Sequence, residues 1–145
     1  MDPARPALTV DVALMAGSPA RTVLLVQRGS EPFEGSWALP GGFVERGEQV
    51  ARAAPRELQE ETGIELSGAE LELLGVYDTP GRDPRGWSVS VVYVASLPDE
   101  LHAVGADDAA DARWWEIEKL PDLAFDHAAI IADAVALDEA ASGPV

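Results

Sequence analysis

Residues 56–61 read Arg-Glu-Leu-Gln-Glu-Glu, inside a run from Glu48 to Thr62 that is rich in helix formers and stops at Gly63. Glycine tolerates the left-handed backbone that closes a helix, so the run predicts a helix over 48–62. Positions 57, 60 and 61 are then related by i+3 and i+4, and three carboxylates project to one side. Val50, Ala51, Ala54 and Leu58 fall on the adjoining side, where they can pack on a sheet. Like charges at this spacing destabilise a helix by roughly 0.2–0.5 kcal/mol per pair, so the cluster demands a counter-charge. Pro55 sits awkwardly in the run, because it cannot donate to the carbonyl of Ala51. An irregular first turn or a late helix start is expected, which makes Glu48 the least securely placed acid of the segment.

The rest of the chain supplies the sheet. Apolar runs at Leu8–Met15 and Thr22–Gln27, separated by Gly17-Ser18-Pro19, predict two strands joined as a hairpin. Between Gly29 and Gly47 the breakers Pro32, Gly35, Pro40, Gly41, Gly42 and Gly47 leave no room for a long helix or strand. Leu71–Tyr77 and Trp87–Leu97 read as strands, the second placing Trp87, Val89, Val91 and Tyr93 on one face. Ala112–Ile117 reads as a short strand. Asp126 offers an N-cap for a final helix that buries Ile131 and Val135. Helices do not alternate strictly with strands. The fold class is therefore α/β, an α/β/α sandwich with a central mixed sheet, and residues 1–145 are expected to form one domain.

Composition narrows the chemistry. Ten Lys+Arg stand against 26 Asp+Glu, a formal net charge of −16. Nucleic acid and membrane surfaces call for clustered Lys/Arg, and neither is an expected partner. With no cysteine, thiolate metal sites, disulfides and a cysteine nucleophile are excluded, leaving oxygen and nitrogen ligands. The longest uncharged run, Gly86 to Pro98, has 13 residues, short of the roughly 20 that span a bilayer. The apolar start is broken by Asp11 and lacks a basic leader, so a cytoplasmic location is expected. Neither GxGxxG nor GxxxxGK[ST] occurs, which removes the usual dinucleotide and P-loop readings.

The glutamates admit two readings from the residues alone. Arg56 can pair with Glu60 at i+4 and leave the other acids as a solvated face, or the carboxylates can hold hard divalent cations that keep open positions for water and phosphate. Their surroundings carry a resemblance. Gly42, five residues, Glu48, seven residues, Arg56-Glu57-Leu58, one residue, Glu60-Glu61, one residue and Gly63-Ile64 resemble the complete Nudix box of the Nudix hydrolases. Trp37-Ala38-Leu39-Pro40-Gly41-Gly42 is similar to the family's entry into that loop. The resemblance implies the box as loop-helix-loop, with Glu57 and Glu61 coordinating Mg²⁺, or Mn²⁺ in its place, and Glu60 serving a further ion. It also implies a carbonyl of the turn at Gly42 as a ligand, Arg56 holding the carboxylates, and Glu48 as its partner or an outer ligand. The implied reaction is hydrolysis of a nucleoside diphosphate linked to another moiety.

That moiety is sought outside the box. Val26-Gln27-Arg28-Gly29, the segment Arg82-Asp83-Pro84-Arg85, the stretch Gly105–Trp114 and Phe125-Asp126-His127 resemble the branch containing ADP-ribose pyrophosphatases and related ADP-ribose-binding transcription regulators. Nine of the ten basic residues are arginine, whose planar fork suits phosphate. Arg28, Arg82 and Arg85 are candidates for gripping the diphosphate or terminal ribose, although the 82–85 loop can equally be a turn held by Asp78 and Asp83. Trp37, Phe33 and Trp87 can stack on adenine or fill the core; for Trp87 the core is the expectation. Asp107 and Asp108, in an acidic loop, are general-base candidates against a plain solvated loop. His127 either contacts substrate or is a hydrogen-bonded structural histidine.

The leading expectation is a Mg²⁺-dependent pyrophosphatase cleaving ADP-ribose to AMP and ribose 5-phosphate. A nucleoside-triphosphate pyrophosphatase is the alternative within the same chemistry, and a non-catalytic ADP-ribose sensor the alternative from another class. Related regulators carry a C-terminal winged helix, which is not expected within residues 1–145. The resemblance also favours a homodimer.

Overall fold

The computed structural model describes residues 5–105 and 109–141. Seven strands form one mixed sheet: β1 (Ala7–Ala16), β2 (Thr22–Arg28), β3 (Trp37–Ala38), β4 (Gly41–Phe43), β5 (Glu72–Tyr77), β6 (Ser88–Leu97) and β7 (Ala109–Glu116). Helix α1 (Val50–Thr62) follows β4 and helix α2 (His127–Ala141) closes the described chain. β1 runs parallel to β6 along its whole length, from Ala7 opposite Ser88 to Ala16 opposite Leu97, and the other pairings between the described strands are antiparallel. The mixed α/β architecture expected from the sequence is the one observed.

Side-chain alternation assigns the two layers. Val10, Val12 and Leu14 of β1, with Leu24 of β2, meet Ala53, Ala54 and Leu58 of α1. Their neighbours Ala13, Met15, Val23 and Leu25 point the other way, onto Ile130, Ile131 and Ala134 of α2. A period of two along β1 therefore separates two cores, one under each helix. Asp11 has the parity of the α2 face and is buried there.

The sheet forks where the site lies. β1 and β2 pair only at Met15–Val23 and Ala16–Thr22, next to their hairpin turn. Beyond that point they diverge. β4 takes over the free edge of β1, with Thr9, Val10 and Asp11 opposite Phe43, Gly42 and Gly41, while β3 takes the edge of β2 at Val26 and Gln27. The breaker-rich segment is thus two short strands filling a fork. Its prolines and glycines permit the chain to leave one edge and join another within a few residues.

Several sequence expectations are corrected in detail. α1 begins at Val50, two residues after Glu48, and continues through Pro55; Ala51, whose carbonyl loses its helical partner, is exposed. Ala51 therefore does not join the packed face. Ala53 is enclosed instead, packed with Ala54 and Leu58 against Val10, Val12 and Leu14. The helix ends as expected at Gly63, with φ 75° and its N–H donated to the Gln59 carbonyl. In β6 the deeply buried side is Ser88, Ser90, Val92 and Val94 rather than the Val91 face, and Trp87 is 51% exposed, outside the core. Asp126 stands before α2, with both carboxylate oxygens on Arg82.

Candidate active site

A cleft of about 870 Å³ opens at the fork, a volume within the usual range for small-molecule sites. Its walls include Arg28 at the end of β2, the Gly41-Gly42-Phe43 strand, the acidic side of α1, and Arg85 and Phe125 from later loops.

Arg56 organises the acids. Its Nε donates to Glu48 Oε2 at 2.6 Å and Nη2 to Glu48 Oε1 at 2.8 Å, a bidentate grip from the helix onto the loop that precedes it. Nη1 donates to Glu57 at 2.9 Å and to Glu60 Oε2 at 3.2 Å, and Nη2 reaches the Phe43 carbonyl at 3.2 Å. The i+4 pairing with Glu60 therefore exists, and it coexists with the wider network. Glu48 lies outside the helix yet is fixed, and Arg56 holds its carboxyl down at about 2. Glu60 is the most exposed of the three box acids next to Arg56.

Glu57 and Glu61 turn into the cleft. The Glu57 carboxylate packs on Gly42 so closely that a Cβ at that position would lie 2.5 Å from Oε2. Glu61 Oε1 accepts the Gly41 N–H at 2.6 Å. Burial, reinforced by Glu57 and Asp11, pushes Glu61 up to about 8 against the lowering effect of that N–H; burial likewise raises Glu57. The cleft thus presents buried oxygen donors short of positive charge. Among the described residues no three His, Asp or Glu side chains are gathered closely enough to hold an ion on their own. The donors nevertheless suit a hard cation: they are all oxygen, two are carboxylates one turn apart, and the glycine turn brings backbone alongside them.

Beneath this lies a buried polar layer that sequence reasoning assembled only in part. Ser90 Oγ donates to Asp11 Oδ2 at 2.5 Å, and Asp11 Oδ1 is 3.6 Å from His127 Nε2. Burial raises Asp11 to about 7 and drives His127 down to about 3. His127 Nδ1 accepts the Leu39 N–H at 2.9 Å, which makes it a buried, hydrogen-bonded histidine in the cleft floor. Arg82, with only 4% of its side chain exposed, pairs with Asp126 and donates to Ser88 Oγ at 2.8 Å. Its charge is committed inside the protein, and neither Asp78 nor Asp83 is its partner here. Asp83 instead pairs with Arg85. Arg85 stays on the cleft wall, its guanidinium 5.7 Å from the Phe43 ring and 5.9 Å from Phe125. Arg28 lies 5.0 Å over Phe125 and donates from Nε to the Pro32 carbonyl.

Trp37 is not brought to the cleft. It is 8% exposed in the core under α2, edge-on to Trp115 at 5.0 Å, because its strand residue points to the α2 layer. Phe125, held at φ 53° and edge-on to Phe33, lines the cleft instead, as does Phe43. Asp107 and Asp108 lie outside the described residues. Asp11 is signalled in the sequence by a charge at an inward position of an apolar strand; Phe125 lies in a segment singled out there without a role of its own, and Asp126, expected as an N-cap, holds Arg82 instead.

A forked mixed sheet between two helices, with Gly41-Gly42 against two inward carboxylates of a Glu-rich helix, defines a Nudix-type domain. Residues 5–134 match the NUDIX domain family, and the chain belongs to that family. It is 49% identical over 112 residues to an ADP-ribose pyrophosphatase of Methanocaldococcus jannaschii, covering 77% of this chain and 64% of that protein. It is also 36% identical to the ADPR responsive transcriptional repressor NtrR of Acinetobacter baylyi, covering 90% of this chain and 54% of the repressor. The chain thus spans between about half and two thirds of the length of these two relatives. Among solved structures, the NUDIX domain of Shewanella oneidensis NrtR complexed with ADP ribose superposes with a TM-score of 0.81 at 35% identity, covering 92% of this chain and 91% of that one. No helix among the described residues is long and apolar enough to cross a membrane.

Proposed function

We propose that this protein is a divalent-cation-dependent hydrolase that cleaves ADP-ribose to AMP and ribose 5-phosphate, with Mg²⁺ as the working ion and Mn²⁺ as a substitute. The observation that carries the proposal is the single cleft in which the box glutamates face Arg28, Arg85 and Phe125. The similarity to the archaeal ADP-ribose pyrophosphatase and to an ADP-ribose-bound domain supports the choice of substrate.

Glu57, Glu61 and Glu60, with a backbone carbonyl of the Gly42 turn, would hold the cation. Such an ion, when bound, neutralises diphosphate charge and makes water a stronger nucleophile at neutral pH. Arg56 keeps the carboxylates oriented, and Glu48 keeps Arg56 extended. Arg28 and Arg85 engage the diphosphate and the terminal ribose, their guanidinium planes seated on Phe125. Asp107 or Asp108 supplies the base that takes the proton of the attacking water, a role supported by the place of Ala109, next in sequence, in the cleft lining. Water adds to phosphorus as the bridging P–O bond breaks, and the departing phosphate takes up the bond's electron pair. Residues 1–145 act as one domain, in the cytoplasm, on a small nucleotide rather than on nucleic acid, and as a homodimer.

The second reading is a non-catalytic ADP-ribose sensor, favoured by the similarity to the repressor. A panel of ADP-ribose, other nucleoside diphosphate sugars and nucleoside triphosphates, assayed with Mg²⁺ and Mn²⁺ by product chromatography, separates the possibilities. AMP and ribose 5-phosphate from ADP-ribose are expected. Diphosphate released from triphosphates with ADP-ribose untouched would sink the reading in favour of a triphosphate pyrophosphatase. Tight ADP-ribose binding without turnover would leave the sensor.

A further inference from the structure

We infer that His127, on the helix across the sheet from the Glu-rich helix, is a positioning residue that fixes the Leu39-Pro40-Gly41 turn and through it the carboxylate of Glu61. The inference rests on the proposed cation site, and adds a residue outside the box on which that site depends.

Leu39 and Pro40 lie between β3 and β4, where no strand ladder holds them. Each residue of the turn is tied by one hydrogen bond to a different element. The Leu39 N–H is accepted by His127 Nδ1 of α2 at 2.9 Å. The Pro40 carbonyl accepts the Val12 N–H of β1 at 2.9 Å. The Gly41 N–H donates to Glu61 Oε1 of α1 at 2.6 Å. The turn is therefore a strap between the two helical layers, and its α2 end is held by an imidazole. There is little slack, since a Cβ on Gly41 would run into the Val10 carbonyl oxygen and the Asp11 carboxylate. A displacement at Leu39 passes to Gly41 within two peptide units, and to Glu61 through its bond.

The imidazole is constrained to one state by its neighbours. Accepting at Nδ1 places its proton on Nε2, which faces Asp11 Oδ1 at 3.6 Å. Ser90 in turn donates to the other Asp11 oxygen, so the tautomer is selected by a carboxylate that is itself held. Burial keeps the ring neutral. An asparagine can keep the bond to Leu39, because its Oδ1 occupies nearly the place of Nδ1; its amide nitrogen falls near Cδ2 and leaves the Nε2–H unreplaced. Leucine fills similar space and offers no acceptor, leaving the Leu39 N–H buried and unpaired.

The test compares His127→Leu and His127→Asn with the unaltered protein by amide exchange of Leu39 and Gly41, Mn²⁺ binding followed by electron paramagnetic resonance, and steady-state kinetics with ADP-ribose. In His127→Leu, the two amides exchange at least tenfold faster, Mn²⁺ binding weakens about tenfold, and kcat falls while KM stays within about twofold. His127→Asn recovers all three to within about threefold. Exchange and Mn²⁺ binding do not depend on the substrate assignment, so a failure of the proposed reaction leaves them informative. Unchanged Gly41 exchange and Mn²⁺ affinity in a folded His127→Leu protein would overturn the inference, as would a folded His127→Asn protein as impaired as His127→Leu. Should His127→Leu not fold, the imidazole ¹⁵N shifts of the unaltered protein decide: an unprotonated Nδ1 coupled to the Leu39 amide is expected, and a protonated Nδ1 overturns the inference.

Discussion

Replacing Gly42 by alanine perturbs one contact whose consequence can be worked from the geometry. The added Cβ would lie 2.5 Å from Glu57 Oε2 and 2.6 Å from its carboxyl carbon, where 3.4 Å is the near limit of ordinary contact. Glu57 must then withdraw by about 0.9 Å. It can do so, since the clashing atoms end a flexible side chain, whereas at Gly41 they include the Val10 carbonyl oxygen. Withdrawal stretches the 2.9 Å bond from Arg56, a charge-assisted interaction of about 1.5–3 kcal/mol. The two faces of the effect differ in size. Stability falls by no more than that bond, while a misplacement near 1 Å in a reacting constellation costs about 100-fold in rate, equivalent to about 2.7 kcal/mol of barrier. Gly42→Ala is thus expected to fold, to melt within about 12 °C of the unaltered protein, and to turn over ADP-ribose about 100-fold more slowly with a higher Mg²⁺ requirement. Thermal unfolding, kcat against Mg²⁺ concentration and a crystal structure of the variant check this. A variant with kcat within threefold of the unaltered protein would refute the reasoning, because the carboxylate would then have no need of its position.

Glu61→Gln keeps shape but removes a donor charge from the cleft; turnover is expected to drop at least 100-fold with Tm preserved or raised, and activity resistant to EDTA would remove the site altogether. Arg82→Leu strips the partner from Asp126, whose side chain is 20% exposed; a loss of about 3 kcal/mol, the low end for breaking a buried pair, should appear as a Tm lowered by roughly 6–12 °C. His127 carries a pH signature with a definite sign. Its folded pKa, lowered to about 3 by burial, lies below the roughly 6.5 of an unfolded imidazole. The unfolded chain therefore takes a proton that the folded protein refuses. The stability conferred is present above pH 6.5 and lost as pH falls toward 3. His127→Asn removes this term, so its Tm should gain on that of the unaltered protein between pH 7 and 4.5; parallel Tm curves would refute the assignment.

The Glu-rich helix, its closure at Gly63 and the pairing of Arg56 with Glu60 were legible from spacing alone, because all three depend on residues within one or two turns of each other. So was the family, whose box is a contiguous pattern, and so were five of the seven strands; β3 and β4, two and three residues long among prolines and glycines, were not. What the sequence left open depends on partners distant along the chain. Arg82 could be read as a phosphate ligand until Asp126, 44 positions away, was found on its guanidinium. Trp37 could not be sorted between core and cleft from composition, since its side chain joins the core under α2 through packing with residues distant along the chain. Asp11, Ser90 and His127 meet across three elements. A local pattern determines which residues share a face of a helix or strand; the register of β1 against β6 and β4, built from pairings that span the chain, determines which of those faces meet.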